Sequence, residues 1–179
     1  MLKREDCVLI IVDIQEKLLP VMDNRDELVK NVAILVQGVK ILGIPVINCR
    51  QYPKALGDTV PEINRCLEGI EPVDKKCFSC AGSEKFMEVL KATGSKHCIV
   101  CGIESHICVY QTVRDLEREA FHTHVPYDAV SSRTNANKMI AIERMRDEGA
   151  AIGCVEMLLF ELLGTADDPA FKEISRLIR

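Results

Sequence analysis

The stretch CVLIIVDI, residues 7–14, constrains the fold more than any other: a continuous apolar run reaching an acid at Asp13. A run like this has no polar face, so it suits a central strand of a parallel sheet, buried on both sides by helices. The rest of the chain repeats that alternation. Over 24–42 the residues Leu28, Val32, Leu35, Val36 and Val39 share one helical face, and Gly43 stops the helix. IPVINC (44–49) is the next strand. The stretch 50–72, with Pro53, Gly57, Pro61, Gly69 and Pro72, reads as a loop holding one short helix at 60–68. Strands follow at 72–76, 97–103, 122–130 and 150–155. Helices fall at 83–94, capped by Ser83 and stopped by Gly94, then at 105–119, 137–149, about 155–163 and about 168–178. This order predicts an α/β fold: a doubly wound, mostly parallel six-stranded sheet with helices on both faces, in one domain over 1–179.

Composition removes several function classes. A net charge of −4, 4% aromatic residues and no Trp argue against a nucleic-acid surface. The apolar run in MLKREDCVLIIVDIQ is too short for a signal peptide or a membrane span, so no membrane partner and a cytoplasmic location are expected. The chain has nine cysteines, an odd number, several of them inside strand-like runs; reduced, buried thiols account for that.

CFSC (77–80) and CIVC (98–101) have the spacing of a four-cysteine zinc site. The second pair lies in an apolar strand, where residues three apart point to opposite faces, so its two sulfurs cannot converge. Neither pair opens a helix as a redox C-x-x-C does. His122 and His124 share a strand face but show no third ligand, so no metal and no cofactor are expected.

In a doubly wound sheet the ligand crevice lies beyond the carboxyl ends of the strands. Three candidates stand there: Asp13, one of Lys75 and Lys76, and Cys108. Adjacent lysines on a strand project to opposite faces, so only one can enter a site. Cys108 falls in the first turn of a helix that Ser105 can cap, where the helix dipole favours a thiolate. Each has a plainer reading: Asp13 as a solvated cap, the lysine as surface, Cys108 as a buried structural thiol.

The segments IVDIQ, PVDKKCFS and CGIESHICVYQT, followed by YDAVSSRTNAN and RMRDEGA, together resemble the isochorismatase-like cysteine hydrolases over roughly the whole chain. QYPKALG with TVPEI is similar to a non-metal subgroup. The resemblance implies a catalytic set of Asp13, Lys75 and Cys108, the K-x-x-F-S pattern selecting Lys75 over Lys76. It also implies a cis peptide at Ile103–Glu104 that aims N–H groups of Glu104 to Cys108 at a substrate oxygen. Gln51, Tyr52, Glu104 and His106 would border the substrate. The implied reaction is hydrolysis of a small amide-like C–N bond through a thioester. The metal-binding histidines of nicotinamidases are missing, since His97, His106, His122 and His124 all lie outside 49–75. Family members assemble into dimers or larger rings, so a homo-oligomer is expected, with VEMLLFELL (155–163) serving either as its surface or as core. The alternative function is a catalytically silent binding protein of the same fold.

Overall fold

The computed structural model describes residues 2–179. Its strands are β1 (Cys7–Val12), β2 (Val46–Gln51), β3 (Val73–Lys75), β4 (His97–Ile103), β5 (His122–Pro126), β6 (Val130–Ser131) and β7 (Ala151–Gly153). Six of them form one parallel sheet in the order β3-β2-β1-β4-β5-β7, and the two-residue β6 pairs with the end of β4. The helices are α1 (Arg25–Ile41), α2 (Pro53–Leu56), α3 (Pro61–Asn64), α4 (Glu84–Ala92), α5 (Tyr110–Arg118), α6 (Asn135–Asp147), α7 (Val155–Leu163) and α8 (Phe171–Ile178).

All six residues of β1 are buried, and alternate side chains enter two separate cores. Leu9 and Ile11 pack with Leu35, Val36 and Val39 of α1, Leu159 of α7 and Ile174 of α8. Val8, Ile10 and Val12 pack with Phe86 of α4, Leu116 of α5 and Met145 of α6. Fully burying an aliphatic side chain of this size contributes about 1.5–3 kcal/mol, so a strand buried on both faces anchors both layers.

The expected strand 122–130 is broken in the structure. β5 ends at Pro126, which has no N–H to carry the ladder onward; a 3-10 turn (Tyr127–Ala129) then leads into β6. The second strand runs two residues later than expected and so ends on Gln51, which pairs with Lys75 in register. Ser83 caps α4 by accepting from the Phe86 N–H at 3.4 Å. α6 starts earlier than its apolar pattern suggests because Thr134 caps it, accepting from the Asn137 N–H at 3.2 Å.

The chain winds from β1 outward through β2 to β3, then returns to β4 on the other side of β1. The strand order therefore reverses between β1 and β4, and the crevice belongs at their carboxyl ends. Gly102 lets them meet there: it has φ +119°, and a Cβ on it would lie 2.1 Å from the Val12 carbonyl oxygen.

Candidate active site

Asp13 follows β1 in a left-handed conformation, φ 52°, its N–H donating to the Cys49 carbonyl at 3.1 Å. That bend turns a fully buried carboxylate into the crevice. In β3 the pattern is buried, exposed, buried, which sends Val73 and Lys75 inward and Asp74 out to Arg50. Lys75 Nζ donates to Asp13 Oδ2 at 2.7 Å, and neither side chain has any exposed surface. The ammonium has further acceptors in Gln51 Oε1 at 2.8 Å, the Phe78 carbonyl at 3.1 Å and the Cys77 carbonyl at 3.3 Å. Asp13 Oδ1 is buried without a hydrogen-bond partner among the described residues.

Burial pushes the Asp13 carboxyl above the ordinary carboxylate range, while the charge and hydrogen bond of Lys75 draw it partway back. Burial works against the Lys75 ammonium, but the nearby Cys80, Asp13 and Cys108 outweigh it, so Lys75 is held above its ordinary value. With four oxygen acceptors the ammonium is held charged beside the Asp13 carboxylate.

Cys108 lies in the turn between β4 and α5 and interacts with Asp13 strongly enough to shift both groups. The turn differs from the sequence expectation. Ser105–Val109 is wound as a π-helical turn before α5 begins, and Ser105 does not cap it; its hydroxyl donates to the Ser131 carbonyl at 2.8 Å. The environment also works against the thiolate that a helix start favours. Burial raises the Cys108 thiol well above the free-cysteine range, the Asp13 charge adds to that, and Lys75 offsets only part. A helix terminus supplies about 0.3–1 kcal/mol, less than one unit of pKa, and desolvation wins.

The Ile103–Glu104 peptide is cis. Beyond it, the N–H groups of Ile107 and Val109 both close onto the Glu104 carbonyl, so those two donors are spent within the turn. The N–H groups of Ser105 and His106 are paired with no protein acceptor among the described residues. The Glu104 carboxylate accepts from Arg133 Nε at 3.0 Å and from the Arg133 N–H at 3.2 Å, tying this loop to the approach of α6. His106 Nδ1 lies 3.0 Å from Ser132 Oγ.

Gln51 and Tyr52 stand at the end of β2. Both ends of the Gln51 side chain are engaged, Oε1 by Lys75 and Nε2 in a 2.7 Å bond to the Lys76 carbonyl. Tyr52 is half exposed, with φ 35° and its N–H on the Lys75 carbonyl. An open groove lined by Tyr52, Pro53, Lys54, Asp74, Lys75 and Lys76 adjoins this edge. Sequence reasoning missed Gln15, Ser132 and Arg133. Only the place of Gln15 two residues beyond Asp13 pointed towards it, because amide and hydroxyl residues leave no periodic signal.

Among the described residues, no group of three or more His, Cys, Asp or Glu side chains is arranged to hold a metal. Cys98 and Cys101 enter opposite cores, which separates the second cysteine pair across the sheet. His97, His122 and His124 gather at the opening of β4 and β5, the opposite end from Cys108.

Comparison with known proteins places residues 7–157 in the family model described as the isochorismatase domain. An isochorismatase domain-containing protein 2 from Danio rerio is 38% identical over 178 residues, 99% of this chain and 89% of that protein. A secreted isochorismatase effector, Isc1, of Phytophthora sojae is 38% identical over 96% of this chain and 84% of its own length. Among solved structures, the MAR1 ribonuclease of Caenorhabditis elegans superposes with a TM-score of 0.94 at 35% identity, covering 99% of this chain and 91% of that one.

Proposed function

The chain belongs to the isochorismatase domain family, whose membership supports a hydrolytic role, and from that premise we propose that it is a cysteine hydrolase of small amide-like substrates. The observation that carries this reading is the Asp13 carboxylate, which interacts with Cys108 and has one buried oxygen, Oδ1, without a partner while the other is held by Lys75. A buried carboxylate oxygen without a donor costs stability in the resting protein, and it leaves a position open to accept a proton.

In this mechanism Cys108 is a thiol at rest. As its sulfur attacks the substrate carbonyl, Asp13 Oδ1 takes the thiol proton, acting as general base. The carbonyl oxygen becomes an oxyanion facing the N–H groups of Ser105 and His106 beyond the cis Ile103–Glu104 peptide. Asp13 then gives the proton to the leaving nitrogen, and the C–N bond breaks to leave a thioester on Cys108. Water, deprotonated by Asp13, attacks the thioester and restores the thiol. Lys75 keeps Asp13 oriented and favours its ionised form before each proton is taken. His106 and Tyr52 border the substrate, and Glu104 holds the loop through Arg133. This chemistry calls on no cofactor and no metal, and the partner is a small molecule rather than nucleic acid or a membrane. Nine free thiols suit a reducing cytoplasm, although the Phytophthora relative is described as secreted.

The test is a panel of small amides and ureas assayed for ammonia or amine release, with an RNA oligonucleotide included because the C. elegans relative is named a ribonuclease. Cys108→Ala and Asp13→Asn should each lower turnover of the best substrate by about 1000-fold or more, and intact-protein mass spectrometry should find the acyl group on Cys108. Turnover that survives Cys108→Ala refutes the nucleophile. A protein that binds members of the panel but hydrolyses none is the silent binding protein instead.

A further inference from the structure

Gln15 is fully buried, and its amide makes three hydrogen bonds, all to backbone. Oε1 accepts from the Gln51 N–H at 2.7 Å, while Nε2 donates to the Gln51 carbonyl at 3.0 Å and the Gly57 carbonyl at 2.7 Å. One side chain thus grips both backbone groups of Gln51 where β2 has run out of ladder partners on the β1 side. With its backbone fixed, Gln51 reaches across to Lys75 through Oε1, and Nε2 is held on the Lys76 carbonyl. Gln15, Gln51, Lys75 and Asp13 form one hydrogen-bonded chain.

The ammonium has three protons and four oxygen acceptors, two on side chains and two on the carbonyls of Cys77 and Phe78. The carbonyls both belong to the loop after β3. Gln51 is the acceptor that comes from β2, the strand between Lys75 and Asp13. Without it, the neutral acceptors all lie on the β3 loop, and the ammonium is free to relax away from the crevice.

We propose that Gln51 is a positioning residue rather than a substrate ligand: anchored by Gln15, it holds the Lys75 ammonium against Asp13 Oδ2 and reserves Oδ1 for the Cys108 proton. The proposal rests on the assignment of Asp13, Lys75 and Cys108 as the reacting set. It replaces the substrate contact expected for Gln51 from sequence with an action through Lys75.

The test needs no substrate, because iodoacetamide reports the Cys108 thiolate directly when its adduct is quantified by mass spectrometry across pH. The Lys75 charge favours that thiolate, so letting the ammonium drift raises the apparent pKa of Cys108. Gln51→Met keeps length and loses the acceptor; it should slow Cys108 alkylation about 3–10-fold at fixed pH, a shift of up to roughly one unit. In a Lys75→Met background the same change should have no further effect, because a residue acting through Lys75 has nothing left to act on. Lys75→Met leaves a buried carboxylate unpaired and is prone to unfold, so a second cycle omits it: Gln15→Met should slow alkylation in the same direction, and Gln15→Met with Gln51→Met should match Gln51→Met alone. Unchanged or faster alkylation in Gln51→Met, or slowing by the same factor in the Lys75→Met background, overturns the proposal. Additive slowing in the Gln15 and Gln51 pair also overturns it. If Asp13→Asn and Lys75→Met fold and leave Cys108 alkylation untouched, the reacting set itself has failed; if they change it and Gln51→Met does not, only the positioning role has failed.

Discussion

At Cys108, burial and the Asp13 charge pull against the charge of Lys75. Desolvation and the Asp13 carboxylate both favour the thiol, and only Lys75 favours the thiolate. In the proposed mechanism the thiol therefore loses its proton during attack, and Asp13 Oδ1, which has no partner, is the atom proposed to take it. Iodoacetamide at pH 7 should accordingly label the half-buried Cys66, Cys77 and Cys154 before Cys108, whose rate should climb only as the pH becomes alkaline. Peptide mapping of the adducts over time reads this order, and fastest labelling at Cys108 at pH 6 would show a preformed thiolate instead. Sequence placed Asp13, one of Lys75 and Lys76, and Cys108 after strand ends, which is a one-dimensional property, and the family resemblance selected Lys75. Whether the sulfur is ionised depends on what surrounds it in three dimensions, and a local helix-start argument ran the wrong way.

At the scale of single elements, β4 and β5 open with a cluster of imidazoles that the strand pattern did not disclose. His97 pairs with His122 in register, placing His97 beside both His122 and His124; His97 Nδ1 and His124 Nε2 are 3.0 Å apart. Sharing one proton between two ring nitrogens requires at least one neutral ring. Burial lowers both His97 and His124, and the neighbouring imidazoles lower them further, against partial opposition from Asp6, Glu117 and Glu161. Groups whose folded pKa is depressed contribute stability that is complete above the unfolded histidine value, about 6.5, and is lost as the pH falls below it. Urea midpoints measured from pH 7.5 to 5.5 should fall more steeply for the natural chain than for a His97→Gln, His124→Gln double variant. Parallel curves would mean that the pair carries no linkage. The caps show the same division of information. Ser83 is readable because it precedes a clear amphipathic run, whereas Thr134 precedes Asn135, Ala136 and Asn137, where no apolar stripe marks the helix start.

Over the whole molecule, α7 shows how an apolar segment is divided between core and surface. Val155, Leu158, Leu159, Leu162 and Leu163 enter the core with α1, so most of VEMLLFELL is packing. Met157 and Phe160 remain exposed, at 62% and 40%. If this chain assembles with copies of itself through this face, it should sediment as a dimer or larger, and Met157→Glu with Phe160→Glu should sediment as a monomer. A natural chain that is monomeric at micromolar concentration ends that reading. No helix among the described residues is long and apolar enough to cross a membrane. The sheet itself was legible because its cause is local: a strand buried on both faces must be apolar at every position, as Cys7–Val12 is, and a helix against it must be apolar on one side. Strand order, the break at Pro126 and the approach of β1 to β4 at Gly102 depend on which segments meet, and only the tertiary structure decided them. The site divides in the same way. Sequence by itself determined which reactive groups stand at strand ends; the fold decided that Lys75 is saturated with acceptors, that Gln15 and Gln51 hold it there, and that one oxygen of Asp13 is left without a partner. Hydrogen bonds between residues dozens of positions apart, such as Gln15 to Gln51 and Lys75 to Asp13, leave no periodicity in the chain, because the geometry that satisfies them exists only after the sheet has formed.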